Sequence, residues 1–195
     1  MRRFARSALV LFTVSVAATA VLSTGAATAA ERPAVTMETL LDRIQVEDVI
    51  ARYYYDLSTG QAHELSNYFT ADAILDVDGM VAKGHDEINK LYAPAPGAAP
   101  KPAGYRRGNM LLTNPIIEVN GNTASAHVIW TGVMNEGPGK APTLYEQGRE
   151  DTDLVKVNGK WMISRRCITS DSGLPDKFDA TWYARDRCTY DGKKK

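Results

Sequence analysis

Acid–base chemistry on a small organic molecule needs a carboxyl group shielded from water, with a hydroxyl or amide donor reaching toward it. Glu150 fits the first requirement. It alternates with Glu146, Gly148, Thr152 and Leu154 along a strand, so these five side chains share one face. An apolar cavity disfavours a carboxylate, which suits Glu150 to work as a general acid or base. Tyr53 lies on the apolar stripe of the first helix, where a buried phenol needs a partner that a ligand oxygen can supply. Asn109, read with Leu111 and Thr113 on the inward parity of an earlier strand, would hold a substrate oxygen beside Tyr53. Trp130, Met134 and Leu111 would pack a flat ring. Tyr54 stands at the rim as a further substrate contact, with Tyr55 beside it. A slip of one residue would turn Arg149 and Asp151 inward instead, making Arg149 the contact. On a solvent-facing strand, Glu150 would simply pair with Arg149 or Arg166.

The other reactive residues read more blandly. His63, His85 and His127 are scattered, and Cys167 and Cys188 form no Cys-x-x-Cys pair, so neither a metal site nor a cofactor is expected. His85 is placed on the surface or rim, and Trp161 in the core. Lys+Arg and Asp+Glu are balanced at 23 each, which leaves no basic footprint for nucleic acid.

Stepping along the chain, Arg2, Arg3 and Arg6, the apolar run Ala8 to Leu22 and Ala27-Thr28-Ala29 read as a cleaved export signal over residues 1–30. The mature protein is then expected in the periplasm or secreted, free of the membrane, where Cys167 and Cys188 could close a disulfide. A domain over 31–170 and a tail over 171–195 follow. Helices are expected over about 36–58, 61–69 and 85–92, the first capped by Thr36. A short strand, 73–77, turns at Asp78-Gly79 into a second, 80–82. The stretch 93–104, rich in Pro, Ala and Gly, reads as a surface loop. From Tyr105 to Thr169 the turn signals Asn120-Gly121 and Asn158-Gly159 divide alternating apolar runs into a four-stranded antiparallel meander. Helices first and a meander afterwards spell an α+β fold: three helices packed on a curved, mostly antiparallel sheet, forming a cone.

Several phrases, taken in order, resemble the nuclear transport factor 2-like superfamily and its SnoaL-like branch. They are Ile50-Ala51-Arg52-Tyr53, the run Leu65 to Ala73, Gly84-x-Asp86-Glu87-Ile88, Thr113-Asn114-Pro115, Asn120 to Ala124, and Val157 to Trp161 with Arg165-Arg166. The resemblance implies a cone-shaped pocket and a homodimer or homotrimer, with His127 on the dimerising face. Its relatives include ketosteroid isomerases, scytalone dehydratase, polyketide cyclases, epoxide hydrolases and lyases of aromatic catabolism, alongside non-catalytic binding proteins. Tyr53 falls where ketosteroid isomerases carry their oxyanion-binding tyrosine, but their aspartate falls on Val77, with Asp76 and Asp78 beside it. The helical aspartate of the dehydratase falls on Ser58, its histidines on or near Asn109 and Met134, and its substrate-binding asparagine on Glu150.

The expectation is therefore a cofactor-independent lyase. It would eliminate water or formaldehyde from a hydrophobic, hydroxylated aromatic such as a lignin-derived diaryl compound. A non-catalytic periplasmic binding protein is the alternative. An isomerase or epoxide hydrolase using Asp78 or Asp151 is the third reading.

Overall fold

The computed structural model describes residues 35–59, 62–93, 108–135, 137–173 and 188, all within the compact unit Arg32–Lys195. The expected export signal, most of the Pro-rich loop and most of the C-terminal tail lie outside the described residues.

Helix α1, Met37–Thr59, starts where the sequence places a cap. The Thr39 N–H donates to Thr36 Oγ1 at 3.3 Å, and the Thr36 N–H donates to Thr39 Oγ1 at 3.1 Å. This reciprocal pair satisfies two N–H groups that the first turn cannot. Val46, Ile50, Tyr53 and Tyr54 form its buried stripe, each side chain contributing about 1.5–3 kcal/mol by leaving water. The expected second helix is a 3-10 segment, Ala62–Tyr68. Helix α2, Gly84–Tyr92, buries Ile88. No helix among the described residues is long and apolar enough to cross a membrane.

The helices pack on one sheet of six strands: β1 Phe69–Val77, β2 Met80–Lys83, β3 Asn109–Asn120, β4 Thr123–Met134, β5 Thr143–Val157 and β6 Lys160–Ser172. Their spatial order is β2-β1-β6-β5-β4-β3. The meander β3 to β6 is antiparallel, as expected, and β1 joins β6 in parallel. The last strand runs to Ser172, into what reads from sequence as tail.

Two hairpins close on paired left-handed residues, Asp78-Gly79 (φ 50° and 98°) and Asn158-Gly159 (φ 50° and 78°), the pattern of type I′ turns. The first meander hairpin differs. Asn120 pairs with Thr123, so the turn residues are Gly121 and Asn122, and only Gly121 has positive φ, at 58°. That is the type II′ pattern, with glycine at the first central position.

A bulge in β3 decides which of its side chains face the helices. Ile117 and Val119 are buried, paired with Ala126 and Ala124. Between Thr113 and Ile116 the register shifts, and Asn114 takes φ 51°. The extra residue reverses the alternation, so Met110 and Leu112 now lie opposite Gly132 and Trp130 on the inner face.

The core runs from Val46, Ile50 and Tyr53 through Leu65, Phe69 and Leu75 to Leu154, Trp161 and Ile163. Trp161 is buried, and its Nε1–H donates to Asp42 Oδ1 at 3.1 Å. The Lys156 Nζ bonds the same oxygen and lies 5.3 Å from the indole centroid. That lysine hydrogen bond holds the Asp42 carboxyl below its ordinary pKa of 3.8.

Cys167 and Cys188 form a disulfide with Cα atoms 5.6 Å apart, tying β6 to a residue 21 positions later. Closing a loop of that length restricts the unfolded chain, so replacing both cysteines by serine should cost about 2–4 kcal/mol. Urea unfolding of the purified variant measures this, and an unchanged midpoint would contradict it.

Candidate functional site

The inner face of the sheet carries a buried charged cluster built by β5, β6 and α1. Consecutive inward positions on β5 are Glu146, Gly148, Glu150 and Thr152. Glu150 is 1% exposed and Arg166, on β6, is 0% exposed. Their ion pair places Arg166 Nη2 2.9 Å from Glu150 Oε1. The Thr152 hydroxyl donates to the same oxygen at 2.8 Å and accepts from Arg166 Nε at 3.2 Å. Tyr54, from α1, donates its hydroxyl to Glu150 Oε2. The guanidinium stacks 4.0 Å above the Tyr53 ring centroid, with the Tyr54 ring 5.6 Å away. Tyr53 and Tyr92 share a hydrogen bond between their hydroxyls, which leaves one of the two protons for a third partner.

Three nitrogens in this region, on two residues, make no well-formed hydrogen bond among the described residues. Arg166 Nη2 meets Glu150 as a charge, off the line of its N–H bonds, and Nη1 meets no acceptor among the described residues. Trp130 is 4% exposed, and its Nε1–H likewise has no partner. Its indole packs against Gly148, where a Cβ would fall 2.1 Å from the Thr169 carbonyl oxygen and 2.4 Å from Trp130 Cζ2. Only glycine leaves that space.

A pair of acids extends the inner face beyond Gly148. Asp78 is 1% exposed. Its Oδ1 accepts from the Ser170 N–H at 2.8 Å and its Oδ2 from the Ser170 hydroxyl at 2.7 Å. Glu146 is 9% exposed, and its side chain lies against Gly132, where a Cβ would come 2.5 Å from Cγ. Burial pushes the Glu146 carboxyl above its usual 4.5, a hydrogen bond from Tyr145 opposes the rise, and the nearby Asp78 charge adds to it. Burial also raises the phenols of Tyr53, Tyr54 and Tyr92 above 10.0, and for Tyr54 the Glu150 charge adds to it. For Arg166, burial favours proton loss, but Glu150 and the three tyrosines outweigh it and hold the guanidinium charged.

The expected site residues divide accordingly. Tyr53, Glu150 and Trp130 face inward as read, and Met134 is half-buried at the end of β4. Tyr54 is no rim residue; it is buried against Glu150. Glu150 does not stand in an apolar cavity, because two hydroxyl donors and the Arg166 charge surround its carboxylate. Asn109 and Leu111 are corrected: the β3 bulge puts both on the outer face, opposite Val133 and Thr131, with Leu111 51% exposed. Arg149 is corrected as well. It faces outward and binds Asp171 at 3.1 Å, while Asp151 holds His127 Nδ1 at 2.8 Å on the same outer face. His85 is half-buried, its Nε2 2.9 Å from the Phe69 carbonyl.

Sequence reading missed Tyr92 and the inward placement of Arg166. Nothing in the local pattern near Tyr92 signals a site. Arg166 alternates with Ile168 and Ser170 on β6, a parity that points inward once Ile168 is known to oppose Glu150. A cavity of about 720 Å³ opens mainly on the outer face, beside Asp72, Glu118, Asp153, Ser164 and Arg165, and none of the inner cluster lines it. The chemistry is read from the inner cluster, where buried donors and acids converge. Among the described residues, no group of three or more His, Cys, Asp or Glu side chains is placed to hold a metal ion.

This fold and residue order belong to a known class. A SnoaL-like domain model matches residues 38–167, and the chain is a member of that family. It is 23% identical to an uncharacterized protein of Mycobacterium tuberculosis (strain H37Rv) over 145 residues, covering 71% of this chain and 92% of that protein. A nuclear transport factor 2-like protein with a cystatin-like fold from Novosphingobium aromaticivorans superposes with a TM-score of 0.56 at 21% identity, covering 70% of this chain and 86% of that one. A second protein of that organism, provisionally named a scytalone dehydratase, superposes at 0.54 with 20% identity, covering 68% and 85%. At these identities the likeness is one of fold, and the chemistry must come from the site.

Two outcomes follow from the cluster. Glu150→Gln removes the partner of a fully buried guanidinium, and breaking such a pair costs about 3–5 kcal/mol. Chemical denaturation should show that loss, and a change under about 1 kcal/mol would mean the pair is solvated. Alkaline titration reads the phenols. Their folded pKa values lie above the unfolded 10.0, so their contribution to stability is complete below 10.0 and disappears as pH rises through the folded values. Absorbance at 295 nm should therefore show a set of tyrosines ionising only together with unfolding. Ionisation of every tyrosine near 10.0 in the folded protein would contradict the cluster.

Proposed function

We propose that this protein is a lyase that eliminates water or formaldehyde by acid–base chemistry, without a bound cofactor. Its substrate is a hydrophobic, hydroxylated aromatic molecule such as a lignin-derived diaryl compound, met outside the cytoplasm. The observation that carries the reading is Glu146, a buried carboxyl raised toward its neutral form on the face that holds Arg166, Tyr53 and Trp130. A carboxyl held above its ordinary value by burial is suited to give and take a proton, whereas Glu150 has its oxygens committed to Tyr54, Thr152 and Arg166.

In loss of water, Glu146 as carboxylate takes the proton from the carbon beside the hydroxyl-bearing carbon. The C–H electron pair becomes the new C=C bond, and the C–O bond breaks. The same proton, now on Glu146, passes to the departing oxygen, so water leaves and the carboxylate is restored. Asp78, pinned by Ser170, is a neighbouring acid that favours Glu146 in its protonated form. The free proton of the Tyr53–Tyr92 pair, together with Arg166, stabilises negative charge developing on a conjugated substrate oxygen. The isomerase or epoxide hydrolase reading through Asp151 loses support because that residue faces outward.

A binding protein is the second reading, favoured by one feature: Tyr54, Thr152 and Glu150 satisfy one another without a ligand. Turnover separates the two. Glu146→Gln should lower kcat by about 10²–10⁴-fold on any diaryl alcohol that is consumed, while ligand affinity stays within about two-fold. Full activity in that variant would remove Glu146 from the chemistry. Ligand binding with no turnover of any hydroxylated aromatic would leave the binding protein.

A further inference from the structure

Buried N–H groups without acceptors are rare in folded proteins, and each calls for a partner that the chain itself does not provide. Three such nitrogens lie on one face, and two of them, unlike Arg166 Nη2, have no ionic partner either. Trp130 Nε1 and Arg166 Nη1 both belong to residues less than 5% exposed, and neither has a hydrogen-bond partner among the described residues. They flank Glu150 along β5. The indole lies over Gly148, the preceding inward position, while the guanidinium faces Glu150 and Thr152. Both are held rigidly, the indole by the missing side chain at Gly148 and the guanidinium by Thr152 and the Tyr53 ring. Rigid donors with empty hydrogen-bond positions suit a ligand that brings acceptor oxygens.

The charges around them restrict that ligand further. Arg166 is the one buried cation among the described residues, and Glu150 already offsets its charge. Asp78 and Glu146 remain on the same face. An anionic ligand would bring its charge beside the carboxyl groups of Glu150, Asp78 and Glu146, in a setting where water screens little. A cationic ligand with no acceptor would leave both donors empty.

From these two facts we infer that the inner face binds an uncharged aromatic carbonyl compound through Trp130 Nε1 and Arg166 Nη1, and discriminates against the corresponding carboxylic acid. The inference rests on reading the inner face as the ligand site, but it concerns binding and does not require turnover. It makes Trp130 a specificity-determining residue, a role distinct from the ring-packing one that its sequence suggests.

The test uses two probes that differ at one group, 4′-hydroxyacetophenone and 4-hydroxybenzoate, with the full mature chain and calorimetry at neutral pH. The ketone should bind at least ten-fold more tightly than the carboxylate. Trp130→Phe keeps the ring and loses the N–H, and should weaken the ketone about ten-fold, the worth of one well-made buried hydrogen bond. Circular dichroism confirms that this variant is folded; if it is not, the indole ¹⁵N–¹H resonance of Trp130 in the unaltered protein replaces it, and it should move downfield as the ketone saturates, an unmoved resonance overturning the inference. Equal or tighter binding of the carboxylate overturns the inference. So does ketone affinity unchanged by loss of the N–H, and so does failure of the ketone to bind at millimolar concentration. Activity lost in Glu146→Gln with no ketone preference would leave the lyase standing and this inference fallen; the converse result would do the opposite.

Discussion

A charged pair has been taken wholly out of water at the centre of this fold. Glu150 and Arg166 are almost completely buried, and removing two ions from water costs several kcal/mol each before their attraction repays any of it. The pair persists because the surrounding elements supply what water would have supplied. Thr152 bonds both partners, Tyr54 bonds the second carboxylate oxygen, and the Tyr53 ring lies against the guanidinium. Those groups come from α1, β5 and β6. The three elements must therefore dock in one register, or a charge is left without compensation. A purely apolar interior would be cheaper to build.

The remainder of the molecule serves that register. The parallel β1–β6 contact brings the Asp78-Gly79 turn beside Ser170, where Asp78 is fixed by two hydrogen bonds. The antiparallel meander sets Trp130 opposite Gly148 and Val128 opposite Glu150. Glu146, Gly148, Glu150 and Thr152 consequently form a ladder that passes from Glu146, near Asp78, to the buried ion pair. Helix α1 closes the deep end with Tyr53 and Tyr54, and the last residue of α2, Tyr92, completes the set. Outside, the same strands show a different surface, with His127 and Asp151 paired and Arg149 bonded to Asp171.

Much of this was legible in the residues. Turn chemistry at Asn158-Gly159 and Asp78-Gly79 marked the hairpins, and period-two alternation put Glu150, Trp130 and Glu146 on one face. The cap at Thr36 and the stripe through Ile50 and Tyr53 were equally readable. What could not be read was a single inserted residue. The bulge at Asn114 reverses alternation within β3, so counting back from Ile117 and Val119 assigns Asn109 and Leu111 to the wrong side. The ionic character of the interior was hidden for a related reason. Arg166 lies beyond a register irregularity between β5 and β6, near Leu154, and no local pattern says that an arginine there turns inward. Membership of the SnoaL-like family fixes the cone and leaves these choices open.

The central claim is that the inner face holds a ligand against donors that the protein leaves empty. The most direct measurement follows the indole ¹⁵N–¹H resonances while an uncharged aromatic ketone is titrated in. The account predicts that the Trp130 signal moves downfield with saturation as its N–H acquires an acceptor, while that of Trp161, already bonded to Asp42, stays in place. A Trp130 signal that remains fixed while resonances elsewhere respond would show that the ligand sits somewhere else, and the account would fail.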